Sequence, residues 1–266
     1  MHIIHWLSIF CLTFYLLSPA RATEQVSPVA RDTFRLSMFI GPDNRQTKMM
    51  TLLYQDLFQR LGVKVDIREL SMTRASVQAN TGKIDGEAIR ISAYSEIHTN
   101  MRRVNFPVAQ VVFVTYARKQ DQIKLNDGWE DLIHSGYRIG YLRGIMFSER
   151  YLYERIDPLL LSYAKSIRQG FLKLVYGRID LFIHSRGNFL QDEEMNELLV
   201  EASVVEVVPL YMHVHESHTS LIPIIEQGLN EMKKEGRLLE ICQQIYLQQA
   251  ENHCFAENNP YSQLQW

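Results

Sequence analysis

One tetrapeptide pattern occurs in each half of the chain, as Gly82-Lys83-Ile84-Asp85 and as Gly177-Arg178-Ile179-Asp180. Each copy closes an apolar stretch with helical spacing and leads into a short apolar run. The glycine supplies the left-handed turn that stops a helix, and the run after the aspartate has the length of a strand. Two such units predict two similar α/β lobes, and proteins of that build work in the cleft between the lobes.

The first 22 residues stand apart from both units. Ile3 to Leu17 is an apolar run too short to span a bilayer comfortably, and Ala20-Arg21-Ala22 follows as a small-residue cleavage pattern. The reading is a secretory signal peptide over residues 1–22, with an uncleaved anchoring helix as the alternative, because His2 and His5 stand where Lys or Arg is usual. Phe10 before Cys11 excludes a lipid-attachment pattern. Loss of the leader removes Arg21 and no acid, making the formal charge one unit more negative than −2, with both signs mixed along the chain. Such a balance gives no reason to expect a nucleic-acid partner. Cys242 and Cys254 remain in a compartment where thiols oxidise, as a candidate disulfide or as two free thiols.

Thr33 to Ile40 reads as a first strand broken by Gly41-Pro42-Asp43-Asn44. Met49, Met50, Leu52, Leu53, Leu57, Phe58 and Leu61 fall at helical spacing before Gly62. A strand over Val63 to Leu70, a helix over Thr73 to Thr81 and a strand after Asp85 complete a βαβαβ unit. Val108 to Tyr116 and Val204 to Val214 are long β-prone runs that carry the chain across to a second lobe and back. Between them the pattern predicts helices at Gly128 to His134, Phe147 to Arg155 and Ile167 to Tyr176, with strands at Tyr137 to Leu142 and Ile179 to His184. The helix Leu221 to Lys234 and the segment Arg237 to Leu247 then rejoin lobe one. The expected layout is residues 1–22 signal peptide, 23–117 first part of lobe one, 118–212 lobe two, 213–247 return of lobe one and 248–266 tail. Two crossings form a two-strand hinge that lets the lobes close.

The stretches "LFQRLGVKVDI", "RASVQANTGKIDGEAIRIS", "YRIGYLRGIMF" with "LVYGRIDLFI", and "HESHTSLIPIIEQGLNEMKKEG" resemble, in order and spacing, the family 3 extracellular solute-binding proteins. These are the periplasmic receptors of amino-acid-type ABC importers. The resemblance implies an α/β type II periplasmic-binding fold, with two doubly wound lobes joined by two hinge strands. It also implies amino-acid binding, a small-molecule ligand and a membrane ABC permease as partner; the expected protein is a monomer without a cofactor. Gly-x-Ser-x-Gly, His-Glu-x-x-His and phosphate-loop motifs are absent, so the expectation is a binding protein and not an enzyme.

In such relatives an arginine and a hydroxyl of lobe one hold the ligand carboxylate after the strand that follows the Gly-x-x-Asp turn. Here the Thr-x-Thr-x-x-Arg pattern is absent; Ser92 falls near the hydroxyl position, and Arg90 supplies a guanidinium that either meets a carboxylate or pairs with Glu87. The usual ammonium-binding aspartate of lobe two is replaced by Ser185, and the usual aromatic platform by Met72, while Arg74 keeps its place. Arg143 and Gly144, between a strand and a helix, sit where open α/β sheets bind ligands. Phe39 and Phe147 are candidates for stacking on a ligand or for the core. His213, His215 and His218 resemble the solvated strand-to-helix return of the family more than a metal site. The implied function is a receptor that closes on a carboxylate-bearing polar solute. The alternatives are a sensing partner of a separate membrane protein and a dehydratase-like enzyme using Glu87 or His184.

Overall fold

A computed structural model describes residues 33–38, 45–143, 145–186 and 197–246. The predicted leader, Phe39, Gly144 and the tail with Cys254 lie outside the described residues. Eight strands form one mixed sheet in the order β2-β1-β3-β8-β4-β7-β5-β6. They are β1 (Thr33–Met38), β2 (Lys64–Glu69), β3 (Gly86–Ile91), β4 (Met101–Arg118), β5 (Ile139–Leu142), β6 (Leu161–Ala164), β7 (Leu181–Ser185) and β8 (Leu199–His215). The helices are α1 (Arg45–Arg60), α2 (Met72–Asn80), α3 (Tyr94–Ile97), α4 (Trp129–His134), α5 (Met146–Tyr153), α6 (Ile167–Val175), α7 (Ile222–Lys234) and α8 (Arg237–Tyr246).

Within each half the short strands are parallel: β2-β1-β3 on one side, and β6-β5-β7 on the other. The long β4 and β8 run antiparallel to each other from Met101 opposite His215 to Arg118 opposite Leu199 and join the halves. This is the doubly wound two-lobe architecture of periplasmic-binding folds. Pro107 and Pro209 fall where β4 and β8 have each other as partner but have no pairing with β7 or β3, so the missing N–H costs no ladder bond on that side.

The first half packs α1, α7 and α8 against β1, β3 and β8 through Phe34, Leu36, Met50, Leu57, Phe58, Met212 and Leu229. Full burial of each such side chain contributes about 1.5–3 kcal/mol. Leu52, which the helical spacing places with this set, instead faces out at 37% exposure. The second half has a core on each side of its strands, one built on Tyr141, Leu152 and Ile183, the other on Phe171, Leu174 and Phe182.

The repeated tetrapeptides do the same mechanical job in both halves. Gly82 and Gly177 take φ of +69° and +67°. The following N–H groups of Lys83 and Arg178 then reach back to the carbonyls of Gln78 and Lys173, closing α2 and α6. Asp85 accepts from the Arg35 backbone N–H at 2.8 Å and from its Nε and Nη2 at 2.9 Å. Asp180 accepts from the same three groups of Arg138 at 2.9, 2.9 and 2.7 Å. Each aspartate thus pins the start of the central parallel strand pair of its half.

Candidate functional site

The strand register fixes where the two halves face one another. β3 ends with Ile91 beside Leu210 of β8, and β7 ends with Ser185 beside Phe113 of β4, whose own β8 partner is Glu206. β3 and β7 run toward each other and stop about four β8 residues apart, ~13 Å at the usual rise per strand residue. The carboxyl ends of the parallel strands, where open sheets bind ligands, therefore oppose across the bare middle of β4 and β8.

On the first side, β3 carries a buried charge network. Arg90 pairs through Nε with Glu87, and its Nη2 donates to the Met72 carbonyl at 3.3 Å and to Ser76 Oγ at 3.2 Å. The Tyr94 hydroxyl donates to the other Glu87 oxygen, and the Arg90 guanidinium lies 5.1 Å from the Tyr94 ring centre. Burial, reinforced by the Glu87 charge and hydrogen bond, pushes the Tyr94 phenol upward. Of the two readings the sequence leaves for Arg90, the structure shows the internal pair with Glu87.

His213 packs edge-on against Tyr94 at 5.1 Å, fully buried. Desolvation lowers its pKa to about 4, against a raising hydrogen bond to the Tyr211 carbonyl. His218 goes elsewhere and meets Asp85 at 3.0 Å, and His215 meets Ser217 at 2.8 Å. Burial works against the Asp85 carboxylate, but hydrogen bonds from His218 and Arg35 outweigh it and hold its pKa well below the ordinary range. The three histidines have three separate destinations, and among the described residues no group of three or more metal-ligating side chains gathers.

The remaining candidates lie at strand ends and rims. Ser92, exposed just beyond β3, accepts from Arg103 Nη1. Arg74 is exposed on the first turn of α2 and makes no ion pair or side-chain hydrogen bond among the described residues. Arg143 follows β5, exposed, with its guanidinium 5.2 Å from the Tyr163 ring centre. Ser185 ends β7, with Oγ 3.1 Å from His184 Nδ1. Phe147 is on α5. Cys242 on α8 is buried and disulfide-bonded.

Arg103, which the sequence reading did not single out, lies beside this group. It stands on β4 opposite His213, its guanidinium 4.7 Å from the Tyr211 ring centre. Its Nε and Nη2 donate to Asn105 Oδ1 at 3.1 and 2.9 Å. A basic residue opening a β-prone run was the only available signal.

A protein of Shewanella oneidensis, strain MR-1, described as an uncharacterized protein, is 30% identical over 224 residues, covering 82% of this chain and 83% of its own length. The chain belongs to the family of that protein. No family model matches the sequence. Among solved structures, a histidine kinase sensor domain with similarity to periplasmic binding proteins matches with a TM-score of 0.61 at 17% identity. It covers 79% of this chain and 93% of its own. The ancestral amino acid-binding protein AncCDT-1, a precursor of cyclohexadienyl dehydratase, matches with a TM-score of 0.58 at 18% identity, covering 81% of this chain and 96% of its own. These matches establish the periplasmic-binding fold. Among the described residues no helix is long and apolar enough to cross a membrane.

Proposed function

We propose that this chain is an exported, monomeric periplasmic receptor whose halves close on a small carboxylate-bearing polar solute and present it to a membrane ABC permease. Residues 23–117 and 213–247 form one lobe in this reading, and residues 118–212 the other. The observation that carries it is the opposition of β3 and β7 across the bare strip of β4 and β8. Contacts from both halves exist only in the shut form, so a solute there shifts the population toward closure. The cations Arg74 and Arg143, outside any ion pair among the described residues, favour an anionic group on the solute. Ser92 and Ser185 supply hydroxyls from opposite sides, and Gly144, Phe39 and Phe147 complete the set of ligand contacts in this reading.

Glu87 is engaged by Arg90 and Tyr94, and His184 is buried against Phe182, which favours binding over catalysis. A sensing role beside a separate membrane protein is the second reading, favoured by the likeness to a kinase sensor domain. The test is thermal stabilisation of residues 23–266 by amino acids, organic acids and polyamines, with small-angle scattering for closure. A carboxylate compound that raises the melting temperature and reduces the radius of gyration supports the reading. Stabilisation by none of the three classes refutes it, and steady turnover of the stabilising compound moves the protein to the enzymes.

A further inference from the structure

We infer that Arg103, not Arg90, is the arginine that meets the solute carboxylate, acting with Ser92; this rests on the receptor reading and names the group that anchors its ligand. Glu87 already neutralises the buried Arg90 guanidinium, which also donates to the Met72 carbonyl and Ser76. A second carboxylate there would have to compete with an ion pair 7% and 1% exposed. Breaking such a pair leaves a buried charge uncompensated.

Arg103 is in the opposite state. Its partners among the described residues are neutral: Ser92 Oγ, Asn105 Oδ1 and the face of Tyr211. Glu226, the acid nearest in this network of bonds, accepts from the Asn105 backbone N–H at 2.7 Å and forms no ion pair with Arg103. A guanidinium has five N–H bonds, and three contacts leave two for a ligand, one on each terminal nitrogen. Guanidinium N–H groups of this kind make charge-assisted hydrogen bonds to a carboxylate.

The side chain is also held in place. Asn105 grips the Nε edge, Tyr211 supports the face, and Ser92 fixes the tip at the carboxyl end of β3, so little side-chain entropy remains to be lost on binding. Neighbouring Arg102 differs, since its charge is matched by Glu216 at 2.9 Å. Arg103 thus combines a positive charge with only neutral partners among the described residues, a fixed orientation, and a guanidinium that reaches from a backbone position opposite His213 to Ser92 just beyond β3.

The experiment measures binding by calorimetry for the carboxylate compound found by the thermal screen and for its decarboxylated amine, in wild type, R103Q, R103K, S92A and R68Q. Loss of one charge-assisted contact predicts about 10- to 100-fold weaker binding in R103Q. R103K, which keeps charge without the guanidinium, is expected to fall between, S92A to lose several-fold, and R68Q, on the outer strand β2, to bind as wild type. Urea unfolding checks that each variant is folded, and R103K carries the comparison should R103Q fail to fold. Undiminished affinity in R103Q, or in R103K where only it folds, overturns the assignment of Arg103 and leaves the receptor reading standing. Equal affinity for acid and decarboxylated amine does the same. Absence of any binding compound overturns the receptor reading and this inference with it.

Discussion

Replacing Arg90 by Met separates a structural cation from a ligand contact. The substitution keeps an unbranched side chain of similar reach but removes the charge that faces Glu87, a carboxylate 1% exposed. The Tyr94 hydroxyl alone would then stabilise a buried anion. Removing one partner of a buried ion pair costs about 3–5 kcal/mol, because the other charge stays desolvated. For a chain of this size each kcal/mol moves the melting temperature by about 2–4 °C, so R90M is expected to melt about 10 °C lower. The double variant E87Q/R90M removes both charges, and the amide oxygen that E87Q introduces still accepts from Tyr94. Replacing a whole buried pair is often close to neutral, so the double variant should recover most of the loss. Urea unfolding of wild type, both single variants and the double variant closes the cycle. A loss under about 1 kcal/mol in R90M, or a double variant no more stable than the single, refutes the reasoning. An unchanged urea midpoint with abolished solute binding would return Arg90 to the ligand site.

Two further predictions follow from burial. Between its ordinary value and about 4, the unfolded chain takes up a proton at His213 that the folded chain, which desolvates the ring, does not. Stability should therefore fall by about 3 kcal/mol as pH drops from about 6.5 to 4. H213F should lose most of that slope in urea midpoints measured across the window, and an unchanged slope would show that other groups carry it. A Cβ on Gly170 of α6 would lie 2.1–2.7 Å from the Phe182 ring, so G170A should cost about 1–3 kcal/mol through overpacking. A wild-type melting curve would mean that α6 does not rest on that ring.

Much of the scaffold was legible because its signals are local. The spacing of Met49, Met50, Leu53, Leu57 and Phe58 gave α1, and Gly82 and Gly177 marked two helix ends through a conformation that glycine adopts freely. The apolar middles of β4 and β8 were visible as β-branched runs. Their ends were not: Arg102, Arg103 and Asn105 sit on a half-covered stretch of β4 and interrupt any apolar run, so the strand begins at Met101 and not at Val108, where the β-prone run starts. The four-residue β6, lying at the sheet edge, was missed because so short a run carries too few residues for periodicity to register. The candidate site was legible only as far as strand ends could be counted. Counting brought Ser92 and Ser185 to the ends of β3 and β7, but could not decide between the two partners open to Arg90.

That decision lies in a defect of the sheet. Side chains alternate along a strand, so residues three apart should point to opposite faces, and Glu87 and Arg90 should never meet. The step from Glu87 to Arg90 on β3 is matched by the shorter step from His213 to Tyr211 on β8, which gives β3 one residue too many and turns both charges to one side. β4 is irregular against the same two β8 residues, between Arg103 and Pro107, where Arg103 swings over Tyr211 toward Ser92. In the other half, β7 pairs with β4 from Phe113–Ser185 to Tyr116–Phe182 with no such shift. Regular alternation, which makes a strand readable from sequence, is lost opposite Tyr211 and His213, where the first half collects its buried ion pair and Arg103, whose partners among the described residues are neutral. Places where local rules fail in a natural sheet tend to be functional or strained. The β4–β8 ladder of the second half also shifts register, between Phe113 and Val114 and between Thr115 and Tyr116, but β7 stays in regular register with β4 there. In the proposed receptor reading, orientation of a charged solute would therefore fall to the β3 side, and closure of the other half would add contacts to a ligand already aligned.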